Sequence, residues 1–168
     1  MSWNNDNVPE IAYDYDDTDM RKTMASIAAM LDKNEFGSAG SELLNETARA
    51  SVEAQNAVNK TADDTVKEVA DLMRERQYRQ PSYHPGVKAF DRKANNQHMV
   101  DGLKDHRDGN KHVIYTDTTN GGYNYSQAFE FGLLTRNYPA HHPFEDAANH
   151  LNGELEKNVD EALRKGFE

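Results

Sequence analysis

The chain has 168 residues, a formal net charge of -10, 36% hydrophobic and 29% charged residues, and no cysteine. Its mean hydropathy is -0.97. Such a polar composition suits one domain with a thin core and solvated helices, and it argues against a disulfide scaffold, thiolate chemistry and tight DNA binding by the whole surface.

Residues 1–19 lack apolar periodicity and contain Pro9. They read as an extended arm that a partner orders. Residues 1–20 hold six acids (Asp6, Glu10, Asp14, Asp16, Asp17, Asp19) and no Lys or Arg. The run from Asp14 resembles the start of a calcium loop, but the sixth and twelfth places hold Asp19 and Ala25 where Gly and Glu are needed, so it reads as a solvated acidic run. The first residues also lack the basic and then apolar layout of a secretion signal, and no apolar run is long enough to span a membrane. A soluble protein made inside a cell, without membrane contact, is expected.

Met20, Met24, Ile27, Ala28 and Leu31 predict a short helix, and residues 36–40 predict a flexible break. A long helix is expected from Ser41. Its stripe runs Leu44, Ala48, Val52, Gln55, Val58, Ala62, Val66, Val69 and Met73. Thr61 could cap a second helix, but nothing forces a stop near Asn59, so one helix is the reading taken.

Residues 77–99 have Pro81, Pro85 and Gly86 and no period. So long a connection is usually functional or disordered. Tyr83 and His84 give it something to bury, so it reads as a loop reaching a neighbouring subunit. From Arg74 to His112 there are nine basic residues and five acids. A basic loop meeting an acidic arm of a neighbour would suit self-assembly.

Gly102 and Leu103 open a new element. Asp108-Gly109-Asn110 predicts a hairpin turn between a strand near Leu103–His106 and one at His112–Thr116. Asn120-Gly121-Gly122 is a further turn. Tyr123 and Tyr125 lead into Phe129-Glu130-Phe131-Gly132, read as a short helix stopped by the glycine. Pro143 and Phe144 start the last helix, with Glu145 and Asp146 at its positive end, Arg164 and Lys165 at its negative end, and Gly166 as its stop.

The fold class expected is therefore α+β: a long N-terminal helix and a C-terminal helix clasping a small antiparallel sheet, with an extended arm and a long loop. Residues 1–40 form the arm and short helix. Residues 41–168 form the α+β domain, including loop 77–99.

No constellation for catalysis, cofactor binding or metal binding emerges. His141 and His142 are adjacent, and neighbouring histidines diverge. His106 and His112 can pair across the hairpin. Glu130 between two phenylalanines can be read as a general base. It is better read as facing solvent or pairing with Arg136, because no second catalytic group lies at a telling spacing.

Three motifs in order, after a long helix, carry a resemblance. They are Asp101-Gly102-Leu103, then Tyr125-Ser126 with Glu130-Phe131-Gly132, then Pro143-Phe144 with Ala147. Over residues 41–168 the chain resembles the head–tail joining (neck, tail-completion or tail-terminator) proteins of tailed double-stranded DNA phages. Members carry Thr-Gly-x-Leu, Tyr-Ala…Glu-x-Gly and Pro-Phe at these places; here Asp101, Ser126 and Leu133 depart from the family's Thr, Ala and Thr. The resemblance implies a structural virion protein and no enzyme. It implies a ring of six copies of the chain, between a portal-connector or stopper protein and the tail tube protein. Double-stranded DNA would pass through non-specifically, and an acidic lumen would let it slide. It implies architectural roles for Gly102, Leu103, Tyr123, Tyr125, Phe129, Glu130, Phe131, Gly132, Pro143 and Phe144, and no cofactor. The rival readings are a small enzyme using Glu130 and histidines, with or without a metal, and an acidic helical adaptor for a host protein.

Overall fold

The computed structural model describes residues 7–78, 99–120 and 122–168. Tyr83, His84 and most of the proposed contact loop lie outside the described residues. The elements are β1 (Ile11–Asp14), α1 (Thr18–Lys33), α2 (Ala39–Tyr78), β2 (Leu103–Asp108), β3 (Lys111–Thr116), β4 (Thr119–Asn120), β5 (Tyr123–Asn124), α3 (Ser126–Phe131) and α4 (Pro143–Gly166). The fold is α+β, as expected.

The antiparallel sheet has the order β1-β3-β2. Its hairpin closes with Asp108 opposite Lys111 around Gly109, whose φ is +59°. β1 corrects the expectation of a structureless arm. Ile11 and Tyr13 are buried, Ala12 and Asp14 are exposed, and the strand pairs with β3 from Ile11↔Ile114 to Asp14↔Lys111. Two large side chains per four residues, each worth about 1.5–3 kcal/mol on burial, hold down a strand too short to announce itself. The Tyr13 hydroxyl and Thr65 Oγ1 lie 2.8 Å apart, and Thr65 Oγ1 itself donates to the Thr61 carbonyl, so Tyr13 donates.

α2 is one unbroken helix of 40 residues. Thr61 starts no second helix; its hydroxyl donates to the Ala57 carbonyl within the same one. The C-terminal part of the predicted stripe is buried at Val58, Ala62, Val69 and Met73, but Leu44 and Val52 are exposed. In the first half of α2 the covered positions are Thr47, Ala50, Ser51 and Ala54. Two helices approach there closely, and small side chains permit that where leucine and valine do not.

α2 is the centre of the molecule. α1 runs back along its first turns: Gly40 lies against the Ala28 carbonyl and Asp32, where a Cβ would sit 2.8 Å and 2.3 Å away. At the other end of α1, Asp17 and Arg21 share the Ser51 hydroxyl. Burial pushes the Asp17 carboxyl up, but the Ser51 hydroxyl and the Arg21 guanidinium outweigh it and leave it below the ordinary value. α4 lies antiparallel to α2 rather than across the sheet, so the sheet is not clasped between two helices. His150 meets Glu68 at 2.8 Å, and Arg49 Nε donates to the Gly166 carbonyl at 2.9 Å.

Gly166 differs from its expected role. It has no positive φ, and the helix ends with Phe167 as its cap. A Cβ on Gly166 would stand 2.1 Å from Ala50 Cα, so the residue sets the approach of α4 to α2. Gly166→Ala should therefore destabilise the fold by about 1–3 kcal/mol through overpacking. Alanine is the better helix former by about 1 kcal/mol, so a purely local effect would have the opposite sign. Denaturant unfolding of the variant distinguishes the two.

Candidate functional site

The junction between α3 and α4 gathers most of the residues singled out in the sequence. α3 begins where the Asn124 side chain accepts from the Ser126 amide (3.1 Å) and donates to the Thr116 carbonyl (2.6 Å). It ends at Gly132, whose φ is +75°. A Cβ there would stand 2.7 Å from the Tyr138 carbonyl and 2.8 Å from the Ala140 amide, so the position needs glycine twice over.

The loop after Gly132 folds back on α3. Leu133 and Tyr138 exchange backbone hydrogen bonds of 2.8 and 3.1 Å, and the His141 amide donates to the Phe129 carbonyl at 2.9 Å. The His141 ring stacks on buried Phe129 at 4.6 Å between centroids and meets Tyr138 edge-on at 5.6 Å. Burial, then the nearby Arg76 and His142 charges, lower the pKa of His141. His142 is forced into the left-handed region, with φ +49°.

Glu130 is the key side chain. It is 2% exposed. Its Oε2 accepts the Phe144 amide and its Oε1 the Glu145 amide, both at 2.9 Å. Pro143 has no amide hydrogen, and the Asp146 amide is taken by the His142 carbonyl at 3.1 Å. His142, the N-cap of α4, makes no side-chain cap. A carboxylate from another helix thus does the capping, at the positive end of the α4 dipole. This corrects the expectation that Glu130 faces solvent or pairs with Arg136. Burial raises the Glu130 pKa; the two amides and His142 pull the other way without cancelling it.

The same cluster is the place to test the enzyme and metal readings. Glu130, His142 and Glu145 bring one ligand atom each within 4.8 Å of one another. Yet both Glu130 oxygens already accept amides, and a helix N-terminus favours anions over cations. His142 Nδ1 lies 2.9 Å from Glu145 Oε2, which makes it a local ion pair when protonated. The arrangement is that of a cap. As a general base Glu130 would have to admit a substrate to a position that is 2% exposed.

Most of the other singled-out residues whose side chains are described are buried or partly buried in the fold. Gly102 is buried in a 3₁₀ turn, Met99–Gly102, and a Cβ there would clash with Thr118 Oγ1 at 1.9 Å. Leu103 opens β2 opposite Thr116, and Thr116 Oγ1 donates to the Met99 carbonyl at 2.9 Å. Through Thr116 and Asn124 this turn reaches the start of α3. Tyr123 opens β5. Tyr125 packs half-buried against the core, with its pKa raised by burial and by the Asp101 charge. Pro143 and Phe144 are buried at the start of α4, whereas Phe131 is 57% exposed.

His106 and His112 do not pair. His112 opposes Arg107 across the hairpin, and it is buried while His106 is exposed. His112 Nδ1 lies 2.8 Å from Asp105 Oδ2, and its Nε2 lies 2.8 Å from the Asn59 side chain. Arg107 joins Asp105 (2.8 Å) to Asp63 of α2 (2.5 Å). This network brackets the sheet onto α2. A His–Asp pair suggests catalysis, but this one is 1% exposed at the histidine and walled by the helix. The sequence reading missed Arg76 too, whose guanidinium bonds the His141 carbonyl and reaches Asp146 at 2.5 Å.

Compared with models of known protein families, with curated proteins and with solved structures, the chain matches none.

Glu130→Ala should leave one buried and one part-buried amide without the carboxylate and lose about 1–3 kcal/mol of stability, the cost of an unmet buried amide, with the relieved carboxylate burial returning part. The pH dependence follows from the raised pKa. The folded state holds the Glu130 proton more tightly than the unfolded chain does. Its ionisation therefore costs stability as pH rises through the folded value. Glu130→Gln lacks this titration, so wild type should gain on the variant as pH falls from neutral towards the ordinary carboxylate range. Thermal melts of both proteins across that range check it.

Proposed function

We propose that the chain is a structural virion subunit that forms a ring at the head–tail junction of a tailed phage, joining the connector or stopper to the tail tube. The observation that supports this reading is the physical work of the motif residues. Glu130, Gly132, Pro143 and Phe144 carry the resemblance in sequence, and in the fold they are one capping unit. Gly102 and Leu103, the other matched place, are tied to that unit through Thr116 and Asn124. A motif whose buried members serve architecture suits an assembly protein better than an enzyme.

The remainder of the molecule agrees with such a role. The core is thin and centred on one long helix. Large apolar side chains stay outside it, among them Met30, Phe36 and Leu134. Many like-charged copies around a channel would repel the DNA backbone, which carries one charge per roughly 1.7 Å, rather than hold it.

Electron cryomicroscopy of particles carrying a tagged copy of the chain tests the proposal. Ring-shaped density of six copies between head and tail is the expected result. A tag found in capsid or tail fibres, or absent from particles, refutes it.

A further inference from the structure

His112 is a titratable side chain, 1% exposed, to which the functional reading gives no task. It lies where the sheet meets α2. Its Nδ1 is 2.8 Å from Asp105 Oδ2. Its Nε2 is 2.8 Å from the end of the Asn59 amide that also lies 3.1 Å from the Gln55 amide. Arg107 Nε donates to the same Asp105 oxygen at 2.8 Å. On the other sides, Tyr13 of β1 stands opposite His112 with its hydroxyl bonded to Thr65, Asp63 of α2 is taken by Arg107, and the adjacent Lys111 is exposed.

This geometry restricts the protons. Asp105 Oδ2 accepts from Arg107, as a carboxylate oxygen does, so His112 Nδ1 carries a hydrogen and donates to it as well. The partner of Nε2 is not fixed in the same way, because a primary amide has one accepting end and one donating end. When Asn59 presents its oxygen, as it does here, Gln55 and His112 both donate to that oxygen, and His112 holds two protons. When Asn59 presents its nitrogen, both neighbours must accept. His112 then holds one proton, and Gln55 turns its own oxygen towards Asn59. Any mixed arrangement sets two donors or two acceptors face to face in a part-buried place. Gln55 is suited to the exchange: its Oε1 is buried without a partner in the first arrangement, and turning over gives that oxygen the Asn59 amide as donor.

We infer that His112 is a proton-dependent switch set between the sheet and α2: loss of one ring proton turns the Asn59 and Gln55 amides over together. The charge state of a side chain on β3 is thereby passed to Gln55, one helical turn beyond Asn59 on α2, by rotation of two amides alone. The inference does not depend on the ring reading above.

Nitrogen NMR of the full-length, ¹⁵N-labelled chain tests it. The His112 ring nitrogens and the side-chain amides of Asn59 and Gln55 are followed across the pH range in which the protein stays folded. Two ring N–H groups are expected on the acid side and Nδ1–H alone on the alkaline side, with both amides changing at the same midpoint as Nε2. A carboxylate in place of Asn59 can only accept and cannot turn over, so Asn59→Asp should abolish the Gln55 response. Asn59→Leu, which neither donates nor accepts, should abolish it too and adds no charge. A His112 ring that titrates while the two amides stay unchanged overturns the inference. So does a ring that keeps one protonation state throughout the folded range. A Gln55 response that survives in either variant overturns it as well, since the charge would then act directly and not through Asn59.

Discussion

The fold turns on a carboxylate that closes the start of a helix it does not belong to. Glu130 leaves α3 and takes the Phe144 and Glu145 amides of α4 on its two oxygens. For this to happen the chain must reverse between them, and Gly132 begins that reversal where no side chain fits. Pro143 then removes one of the orphan amides, and the His142 carbonyl meets another. The cost of burying ionised Glu130 is offset only in part, by those amides and by His142. Hence cap, glycine and proline have to be present together, and each loses its purpose without the others.

A helix placed this firmly at one end becomes a ruler along α2. Arg76 fastens the same end through the His141 carbonyl and Asp146, while Arg49 meets the Gly166 carbonyl at the far end. Between them α4 contributes Phe144, Ala147 and Leu151 to the buried surface. α2 answers largely with Ala, Thr and Val. Small residues buy close approach and cede volume, and they explain how a chain only 36% hydrophobic packs helix on helix. The sheet needs a different attachment, because its α2-facing side is part polar. His112, Asp105 and Asn59 supply it as a buried hydrogen-bonded bracket, in which losing Asp105 or Asn59 would leave one His112 ring nitrogen without that partner.

What the sequence made legible follows from range. Elements written in local chemistry were readable: the unbroken α2, the Gly109 hairpin, α3 with its Gly132 stop, and α4 behind Pro143. β1 was not, since Ile11 and Tyr13 alternate over only four residues amid acids, and their meaning comes from β3, about a hundred residues on. The stripe of α2 was misread between Leu44 and Val52 because hydropathy rewards large side chains, whereas the interface there selects small ones. His112 was noticed, but its partner on α2 is far away in sequence. The role of Glu130 left one usable trace. Pro143 starts a helix with His142 at the N-cap, where Ser, Thr, Asp or Asn would normally stand. A missing local cap implies an acceptor brought from elsewhere, and a glutamate two residues before a turning glycine is a fitting donor of one.

The distribution of polarity changes along α2. Where α2 meets α4 and the sheet, burial is complete enough for Met73 and Ile114 to be fully covered. At the two ends of α2 it stops abruptly, with Leu134 almost wholly in water. Isolated exposed apolar residues are ordinary on protein surfaces, so exposure alone means little. The unusual feature is the backbone beneath Leu134. Its loop is held by a paired bridge, a stacked histidine and a glycine that cannot be replaced. Those contacts bring His141 and His142 back onto α3, through hydrogen bonds to the Phe129 and Glu130 carbonyls, and so place the first amides of α4 where the Glu130 carboxylate can reach them.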